Sequence, residues 1–417
     1  MKKGFIFLLC LTGAAAFAQV VETEQTALER LERRTDLVES AVVKLQKLKV
    51  SGFVQAQYQR GGKDAALKVG APNENPEKPF NRVGVRLAHL KLVYEEGLAS
   101  ATFQTNFTER GIFLKDAFLA VKDPWISTVV LKGGIFFRPF GHEISYSALL
   151  RESPERATVI QTLFPEERDL GFSLTLQPAK TSAWNFLKLE AGWFAGNGIQ
   201  REIDSRLDFI GHLFFEKNIE KTITIGGGVS YYNGGVYQGT PNVYSVHENS
   251  FAIDSAPGNK GAFAKREYAG MDAQFSLSSP AGMTQLRAEY LAGSQPSSNP
   301  SSSKSPNAST LPTTDTYIRK FTGGYVIFVQ DFGKLPFSAV LKYDWYNPNT
   351  QVGGNNITMA GDISQHTSGF GLLYRINPNL RLQAYYELNQ NETTNKLEAY
   401  STDRQDDTFT LRLQCKF

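Results

Sequence analysis

The last eleven residues, 407–417, read DTFTLRLQCKF and decide the fold class. Along this stretch apolar and polar residues alternate: Phe409, Leu411, Leu413, Cys415 and Phe417 against Thr408, Thr410, Arg412, Gln414 and Lys416. This period of two predicts a β-strand with one apolar and one polar face. A strand that carries Arg and Lys on one face and ends the chain without a turn is typical of a transmembrane β-barrel, with lipid outside and water inside. The last strand of a soluble β-sandwich is the alternative for this segment alone.

The N-terminus has the three parts of a secretory signal peptide. Lys2 and Lys3 form the charged region, residues 5–11 form the apolar region, and residues 14–18 (AAAFA) end in an A-x-A pattern. We therefore predict that residues 1–18 are a signal peptide that is cleaved after Ala18. No run of 18 apolar residues follows, so the sequence predicts no membrane-spanning helix.

Composition excludes several classes of function. The net charge of +3 includes two lysines of the signal, so the mature chain is near neutral and has no general affinity for nucleic acid. Cleavage would remove Cys10 and leave Cys415 alone, so no intramolecular disulfide is predicted. The five histidines have no ligand spacing, which argues against a metal site. We predict no catalytic residues, no cofactor and no enzymatic activity.

A helical repeat precedes the first strand. Residues at alternating spacings of three and four have the a/d pattern of a coiled coil: Leu28, Leu31, Thr35, Val38, Val42 and Leu45. We predict that residues 19–49 form a periplasmic coiled-coil helix, one per subunit. Such a short helix is marginal alone, so it would persist only where something larger holds the subunits together. An amphipathic helix that plugs its own barrel or lies on the membrane is the alternative.

Residues 50–417 contain sixteen alternating segments. They are 50–59, 81–94, 98–107, 111–121, 127–138, 169–177, 184–194, 206–216, 221–232, 267–277, 284–293, 317–330, 337–346, 367–375, 380–389 and 407–417. Their connections alternate between short turns and long loops, as in barrels with short periplasmic turns and long extracellular loops. The sequence thus predicts an all-β protein, a 16-stranded antiparallel transmembrane β-barrel. We expect a one-residue bulge in segment 81–94, and a mobile, solvated loop at 294–316.

One loop resembles a known family. Residues 133–171 read GGIFFRPFGHEISYSALLRESPERATVIQTLFPEERDLG. This block resembles the phosphate-selective porin O/P family of trimeric outer-membrane porins, in which a strand ending in G-x-F-x-x-P-F-G enters a third loop folded into the lumen. The resemblance spans roughly 50–417 and implies a trimeric 16-stranded barrel. In this chain it implies that the third loop, 138–168, narrows the pore.

The charged residues of the loop and of the inward register are the candidate site. For the constriction we predict Arg138, Glu143, Arg151, Glu152, Arg156 and Arg168, and for the pore wall Lys132, Arg287, Lys342, Arg381 and Arg412. Apolar loop residues, including Ile144, Leu150 and Leu163, are expected to anchor the loop. Acids accompany the bases on the wall and in the loop, which departs from the arginine ladder of phosphate-selective members.

These observations predict a function in transport. The expected protein is a porin of the cell outer membrane, a homotrimer in contact with outer-membrane lipid. It would allow passive diffusion of small hydrophilic solutes, either small anions or neutral polar molecules, with a weak preference for anions. A phosphate- or polyphosphate-specific channel is one alternative, and a barrel that anchors a structural or adhesive surface protein is another.

Overall fold

The computed structural model describes residues 29–39, 42, 45–126 and 128–417. The predicted signal peptide and the beginning of the predicted coiled coil lie outside the described residues. Helix α1 covers residues 29–39, and helix α2 is Thr158–Leu163. Single 3-10 turns occur at Pro257–Asn259, Gly354–Asn356, Ala360–Asp362 and Glu398–Tyr400.

The remaining elements are strands. They are β1 (Leu48–Gly61), β2 (Phe80–Glu96), β3 (Ala99–Thr108), β4 (Gly111–Lys122), β5 (Val129–Phe137), β6 (Arg168–Leu176), β7 (Leu187–Phe194), β8 (Asp208–Ile219), β9 (Ile223–Tyr237), β10 (Val243–His247), β11 (Ser250–Asp254), β12 (Phe263–Ser279), β13 (Gly282–Ser297), β14 (Thr316–Asp331), β15 (Phe337–Asn347), β16 (Gln365–Asn377), β17 (Leu380–Asn391) and β18 (Thr408–Lys416).

Sixteen of these strands form a closed barrel, β1–β9 followed by β12–β18, each antiparallel to its neighbours. Closure is made by β18 and β1, which pair from Phe53 opposite Lys416 to Gly61 opposite Thr408. The predicted 16-stranded antiparallel barrel with a short N-terminal helix is therefore confirmed. Strands β10 and β11 were not predicted. They form a hairpin within the β9–β12 connection, and this hairpin pairs in parallel with the start of β14.

The strands alternate between an apolar outer wall and a polar inner wall. In β18, Leu411 and Leu413 are exposed on the outside, whereas Thr410, Arg412 and Gln414 are buried inside. Because the barrel is closed, both edges of every strand have a hydrogen-bonded neighbour. No unpaired edge of backbone groups is then exposed to lipid. Among the described helices, none combines the length and the apolar character needed to cross a membrane.

Two bulges interrupt the wall between β1 and β4. The β1–β2 register shifts where Gln55 faces Leu87 and Ala56 faces Val85, so Arg86 is the extra residue. The β3–β4 register shifts where Gln104 faces Asp116 and Thr105 faces Leu114, so Lys115 is extra. The bulge that we expected in segment 81–94 is confirmed. Bulges redirect a side chain, and both of these extra residues are cations that reach into the lumen.

An apolar core fills much of the lumen. Phe140, Ile144, Val159, Ile160 and Leu163 of the third loop are buried against the inner wall. The wall contributes Phe136, Phe194, Ile210, Tyr232, Tyr268, Leu291, Phe321 and Tyr325. The expected anchoring is confirmed for Ile144 and Leu163 but is wrong for Leu150, which is exposed. A barrel of sixteen strands is wide enough for an aqueous channel. This core therefore reduces the cross-section of the lumen that is open to water.

Candidate functional site: the lumen and its third loop

The third loop connects β5 to β6 and begins with a sharp turn at Gly141. This glycine has φ +59°, a left-handed conformation that a residue without a Cβ adopts readily. The amides of His142 and Glu143 donate hydrogen bonds of 3.2 and 3.0 Å to Oε2 of Glu289 on β13. The Gly141 amide donates to Oγ of Ser230 on β9 at 2.8 Å. The sequence block PFG therefore turns the chain off the wall, and Glu289 holds the turn.

Glu155 joins the loop to two distant strands. Its carboxylate accepts two hydrogen bonds from Arg86 on β2, at 2.8 and 2.7 Å, and one from Arg412 on β18 at 3.1 Å. Arg412 also donates to the Pro154 carbonyl at 2.9 Å. Burial opposes ionisation of Glu155, but the charges of Arg86 and Arg412 outweigh it and hold the pKa of this carboxyl well below its usual range. Glu155 is therefore ionised in the folded barrel at neutral pH.

The loop ends in two consecutive strained residues. Glu166 and Glu167 have φ of 64° and 62°, a conformation that costs free energy for any residue with a side chain. Glu166 pairs with Lys115, and Glu167 pairs with Arg156 at 2.6 Å and with Arg168 at 2.9 Å. Burial raises the pKa of Glu167, but Arg156 and the other nearby cations lower it further, so the net shift is well below the usual value. These ion pairs offset the backbone strain.

A cavity of about 900 Å³ remains between the loop and the wall formed by β1–β4. It begins near the end of the barrel that carries the short turns, at Ser51, Lys416 and Phe417. It continues past His89, Gln104 and Asn106 and reaches Lys68, Arg110 and Lys304, where the long loops lie. This cavity thus follows one side of the barrel and does not follow its axis.

The predicted constriction residues fall into two groups. Arg151, Arg156 and Arg168 line the cavity. Arg138, Glu143 and Glu152 do not line it, because they pair with the wall on the filled side of the lumen. Arg138 binds Asp169 at 2.9 Å, Glu143 lies 3.7 Å from Lys342, and Glu152 pairs with Arg287.

The predicted pore-wall residues point inward but lie outside the cavity lining. Lys132 binds Glu190 on the neighbouring wall at 2.7 Å. The other four hold the loop. Arg287 and Arg412 pair with the carboxylates of Glu152 and Glu155. Lys342 and Arg381 donate to the backbone carbonyls of Glu155, at 3.3 Å, and of Arg151, at 3.1 Å. The register was sufficient to place them inside the barrel. It could not tell which side of the lumen the loop would cover.

The charges that line the cavity were mostly missed by sequence reasoning. Ten basic residues line it: Lys68, Arg86, Lys91, Arg110, Lys115, Arg151, Arg156, Arg168, Lys304 and Lys416. Five acids accompany them: Glu109, Asp116, Glu155, Glu166 and Glu167. The bulge expected in segment 81–94 was the available signal for Arg86 and Lys91. The lining has a surplus of five positive charges.

The loop expected to be mobile, 294–316, packs into the mouth of the barrel. The Ser305 amide donates to the Thr162 carbonyl of α2 at 3.0 Å, and Ser305 Oγ accepts from the buried Arg266 at 2.8 Å. Asn197 and Ala308 exchange two hydrogen bonds, of 2.6 and 2.9 Å. These contacts hold parts of the loop in place, and residues such as Ser301, Lys304 and Leu311 remain exposed to solvent. Hydrogen bonds to Thr162, Arg266 and Asn197 replace the apolar contacts that this loop lacks.

The geometry is similar to solved outer-membrane barrels. The chain is similar to OmpF of Salmonella typhi, solved in complex with daunomycin, with a TM-score of 0.55 and 11% identity over 89% of this chain and 97% of that chain. It is similar to the outer membrane channel DcaP of Acinetobacter baumannii, with a TM-score of 0.52, 11% identity and coverage of 89% and 97%. The trimer form of the outer membrane protein OmpT of Vibrio cholerae gives a TM-score of 0.50, 8% identity and coverage of 89% and 99%.

No protein-family model and no curated protein sequence matches the chain. At such low identity the structural similarity shows the fold. The fold is that of a bacterial outer-membrane β-barrel. Its closed ring of strands and its apolar outer wall place the protein in the outer membrane.

Proposed function

We propose that the protein is a porin for the passive diffusion of small hydrophilic solutes and ions, with a mild preference for anions. The observation that supports it is the cavity along the β1–β4 wall, with ten basic and five acidic residues in its lining. Selectivity in a pore depends on its width, on the groups that line it and on the field at its narrowest point. Here the surplus of positive charge favours anions, and the interspersed carboxylates keep the preference weak.

The fixed loop explains how a wide barrel can act as a selective filter. The apolar core occupies one side of the lumen, and solutes would pass on the other side, through the cavity lined by Lys91 on the wall and Arg151 on the loop. At physiological salt the screening length is about 8 Å. Charges on the outer wall or on distant loops therefore contribute little to the preference.

Planar-bilayer recordings of the purified protein test this proposal. We expect open single-channel steps and a reversal potential of anion-preferring sign in a KCl gradient. Lys91→Gln removes a cavity-lining charge and should lower the anion preference, whereas Lys265→Gln, a charge that is two-thirds exposed and lies outside the cavity lining, should leave it unchanged. Clear cation preference in the wild type contradicts the proposed sign. A protein that inserts without conducting favours the surface-anchor alternative.

We also infer a relation to the phosphate-selective porin O/P family, supported by the sequence of residues 133–171. Phosphate specificity itself is not proposed, because carboxylates of Glu155, Glu166 and Glu167 line the same cavity as the cations. A tight phosphate site would appear as block of the chloride current by micromolar phosphate, and we expect none.

We infer a homotrimer as well. In the single chain, Leu31 and Val38 of α1 are exposed at 59% and 61%, which suits apolar positions that face other subunits. Lys47 and Lys49 pair with Glu96 and Glu95 at the end of β2, so the segment after the helix is held at the barrel rim. Crosslinking after mild detergent extraction should give trimers, and deletion of residues 20–45 should weaken them without closing the pore. A wild type that is monomeric at all concentrations contradicts the inference.

A further inference from the structure

Arg151 differs from the cations around it. Its side chain is 5% exposed and lines the cavity, yet among the described residues it forms no ion pair and its Nε has no hydrogen-bond partner. Its backbone carbonyl accepts a hydrogen bond from Arg381 at 3.1 Å, which fixes the main chain at this point. Burial lowers the pKa of Arg151 to about 9. This value is still above neutral pH, so the guanidinium stays charged there.

Each of the other buried cations of the cavity already has a carboxylate. Arg86 pairs with Glu155, Arg156 with Glu167, Arg168 with Asp116 and Glu167, and Lys115 with Glu166. A buried charge without a partner is costly, and functional sites are where such groups are found. Among the described residues, Arg151 is thus the buried cavity cation without a carboxylate, whereas the other unpaired cations of the lining are half-buried or exposed.

Two more polar atoms of the cavity wall lack partners, and they are neighbours. His89 on β2 and Asn106 on β3 face each other across the strand pair, and both line the cavity. The Gln104 amide nitrogen lies 3.1 Å from Nδ1 of His89. An amide NH₂ can only donate, so Nδ1 accepts and the ring proton is on Nε2, which has no partner among the described residues. Oδ1 of Asn106 likewise has no partner there. The wall thus contains a buried, unpaired donor beside a buried, unpaired acceptor.

We propose that Arg151, His89 and Asn106 form a binding site for a small monocarboxylate that carries a hydroxyl group, such as a 2-hydroxy acid. The guanidinium fork matches the two oxygens of a carboxylate. The His89 Nε2 hydrogen is a second donor for the anion, and the Asn106 oxygen accepts the solute hydroxyl. A phosphate carries more than one negative charge on average near neutral pH, so the carboxylates of Glu155, Glu166 and Glu167 in the same cavity would repel it more than a monocarboxylate.

The site rests on the proposed porin function, and one set of recordings tests both. Chloride current through the full chain in planar bilayers is measured while lactate, propionate or phosphate is added at constant ionic strength. We expect lactate to block at lower concentration than propionate, which lacks the hydroxyl, and at lower concentration than phosphate.

The variants divide the site into its parts. Arg151→Gln should weaken lactate block by about tenfold or more, the loss expected for a charge-assisted hydrogen bond. Lys265→Gln, an exposed charge outside the cavity lining, should not change it. Asn106→Ala should remove the difference between lactate and propionate but leave a block by both. If Arg151→Gln does not insert, Arg151→Lys keeps the charge without the fork and should give a block intermediate between wild type and none.

The outcomes separate the two proposals. A protein that does not conduct overturns the porin function. A conducting wild type that lactate does not block, or an Arg151→Gln variant blocked as strongly as the wild type, overturns the site alone. Stronger block by phosphate than by lactate overturns the carboxylate assignment, and equal block by lactate and propionate overturns the role of Asn106.

Discussion

Arg86 binds Glu155 across the lumen through two hydrogen bonds, Nε to Oε1 at 2.8 Å and Nη2 to Oε2 at 2.7 Å. Arg86 is the extra residue of the bulge in β2, and Glu155 lies in the middle of the third loop. Lys115 and Glu166 repeat the relationship, since Lys115 is the extra residue of the bulge in β4. Both bulges therefore place a cation where the loop presents a carboxylate, and these two ion pairs tie the loop to the β1–β4 wall.

Replacement of Glu155 should release the middle of the loop. Glu155→Gln leaves Arg86 and Arg412 without their carboxylate, and removal of one partner from a buried ion pair costs about 3–5 kcal/mol. We expect a less stable barrel with larger and noisier single-channel conductance, measured in bilayers. The control is Glu398→Gln, at an exposed residue outside the lumen, which should behave as wild type. Unchanged conductance in Glu155→Gln would show that the apolar core alone holds the loop.

The pH dependence of the pore follows from the same carboxylates. The folded-state pKa values of Glu155 and Glu167 are below the ordinary value of about 4.3. Their contribution to stability is therefore fully present above the unfolded pKa and is lost only as the pH falls through the lower folded pKa. We therefore expect the ion pairs of Glu155 and Glu167 to contribute no change in conductance or selectivity between about pH 8 and pH 5, well above that range.

The variant Arg86→Gln tests the cause of this acid resistance. It removes the largest opposing charge, so the pKa of Glu155 should rise toward its ordinary value and acid-induced changes in conductance should begin at a higher pH. Reversal potentials and step sizes recorded over the same pH range are the measurement. Identical pH profiles for wild type and variant would argue against Glu155 as the acid-sensitive group.

The turn at Gly141 should not tolerate a side chain. A Cβ there would overlap the Glu289 carboxylate, and the left-handed backbone costs about 1–2 kcal/mol for other residues. We expect Gly141→Ala to lower the midpoint of thermal unfolding in detergent. Gly258→Ala is the matched control, because its Cβ would meet nothing within 4 Å and its backbone is not left-handed. Equal midpoints for both variants would contradict the assigned role of the turn.

A charged residue should not be tolerated at Leu413 on the outer wall. This side chain is 43% exposed, whereas its neighbours Arg412 and Gln414 are buried on the inside. An Arg on the lipid face near the bilayer midplane costs about 2–4 kcal/mol. We expect Leu413→Arg to lower the yield of folded barrel, measured by heat-modifiable migration in gels, and Leu413→Phe to fold normally. If Leu413→Arg folds as well as wild type, this face of β18 does not contact lipid.

Much of the fold is a local property of the chain and could be predicted. All sixteen alternating segments correspond to barrel strands within a few residues, because a period of two is visible within any one segment. The β10–β11 hairpin was missed because its short strands lie inside a long polar connection. The loop at 294–316 was judged from composition alone. Its contacts with Thr162 and Asn197 could not be foreseen, because these partners are distant in sequence.

The sequence by itself determined the barrel, the inward register of its charged residues and the identity of the third loop as the segment that enters the lumen. Only the tertiary structure decided which side of the lumen that loop covers, and therefore which charges face the open cavity. The physical reason is the range of the contacts. Strand alternation is set by adjacent residues, whereas the loop is held by pairs such as Glu155 with Arg412, which are 257 positions apart and meet only when the ring has closed.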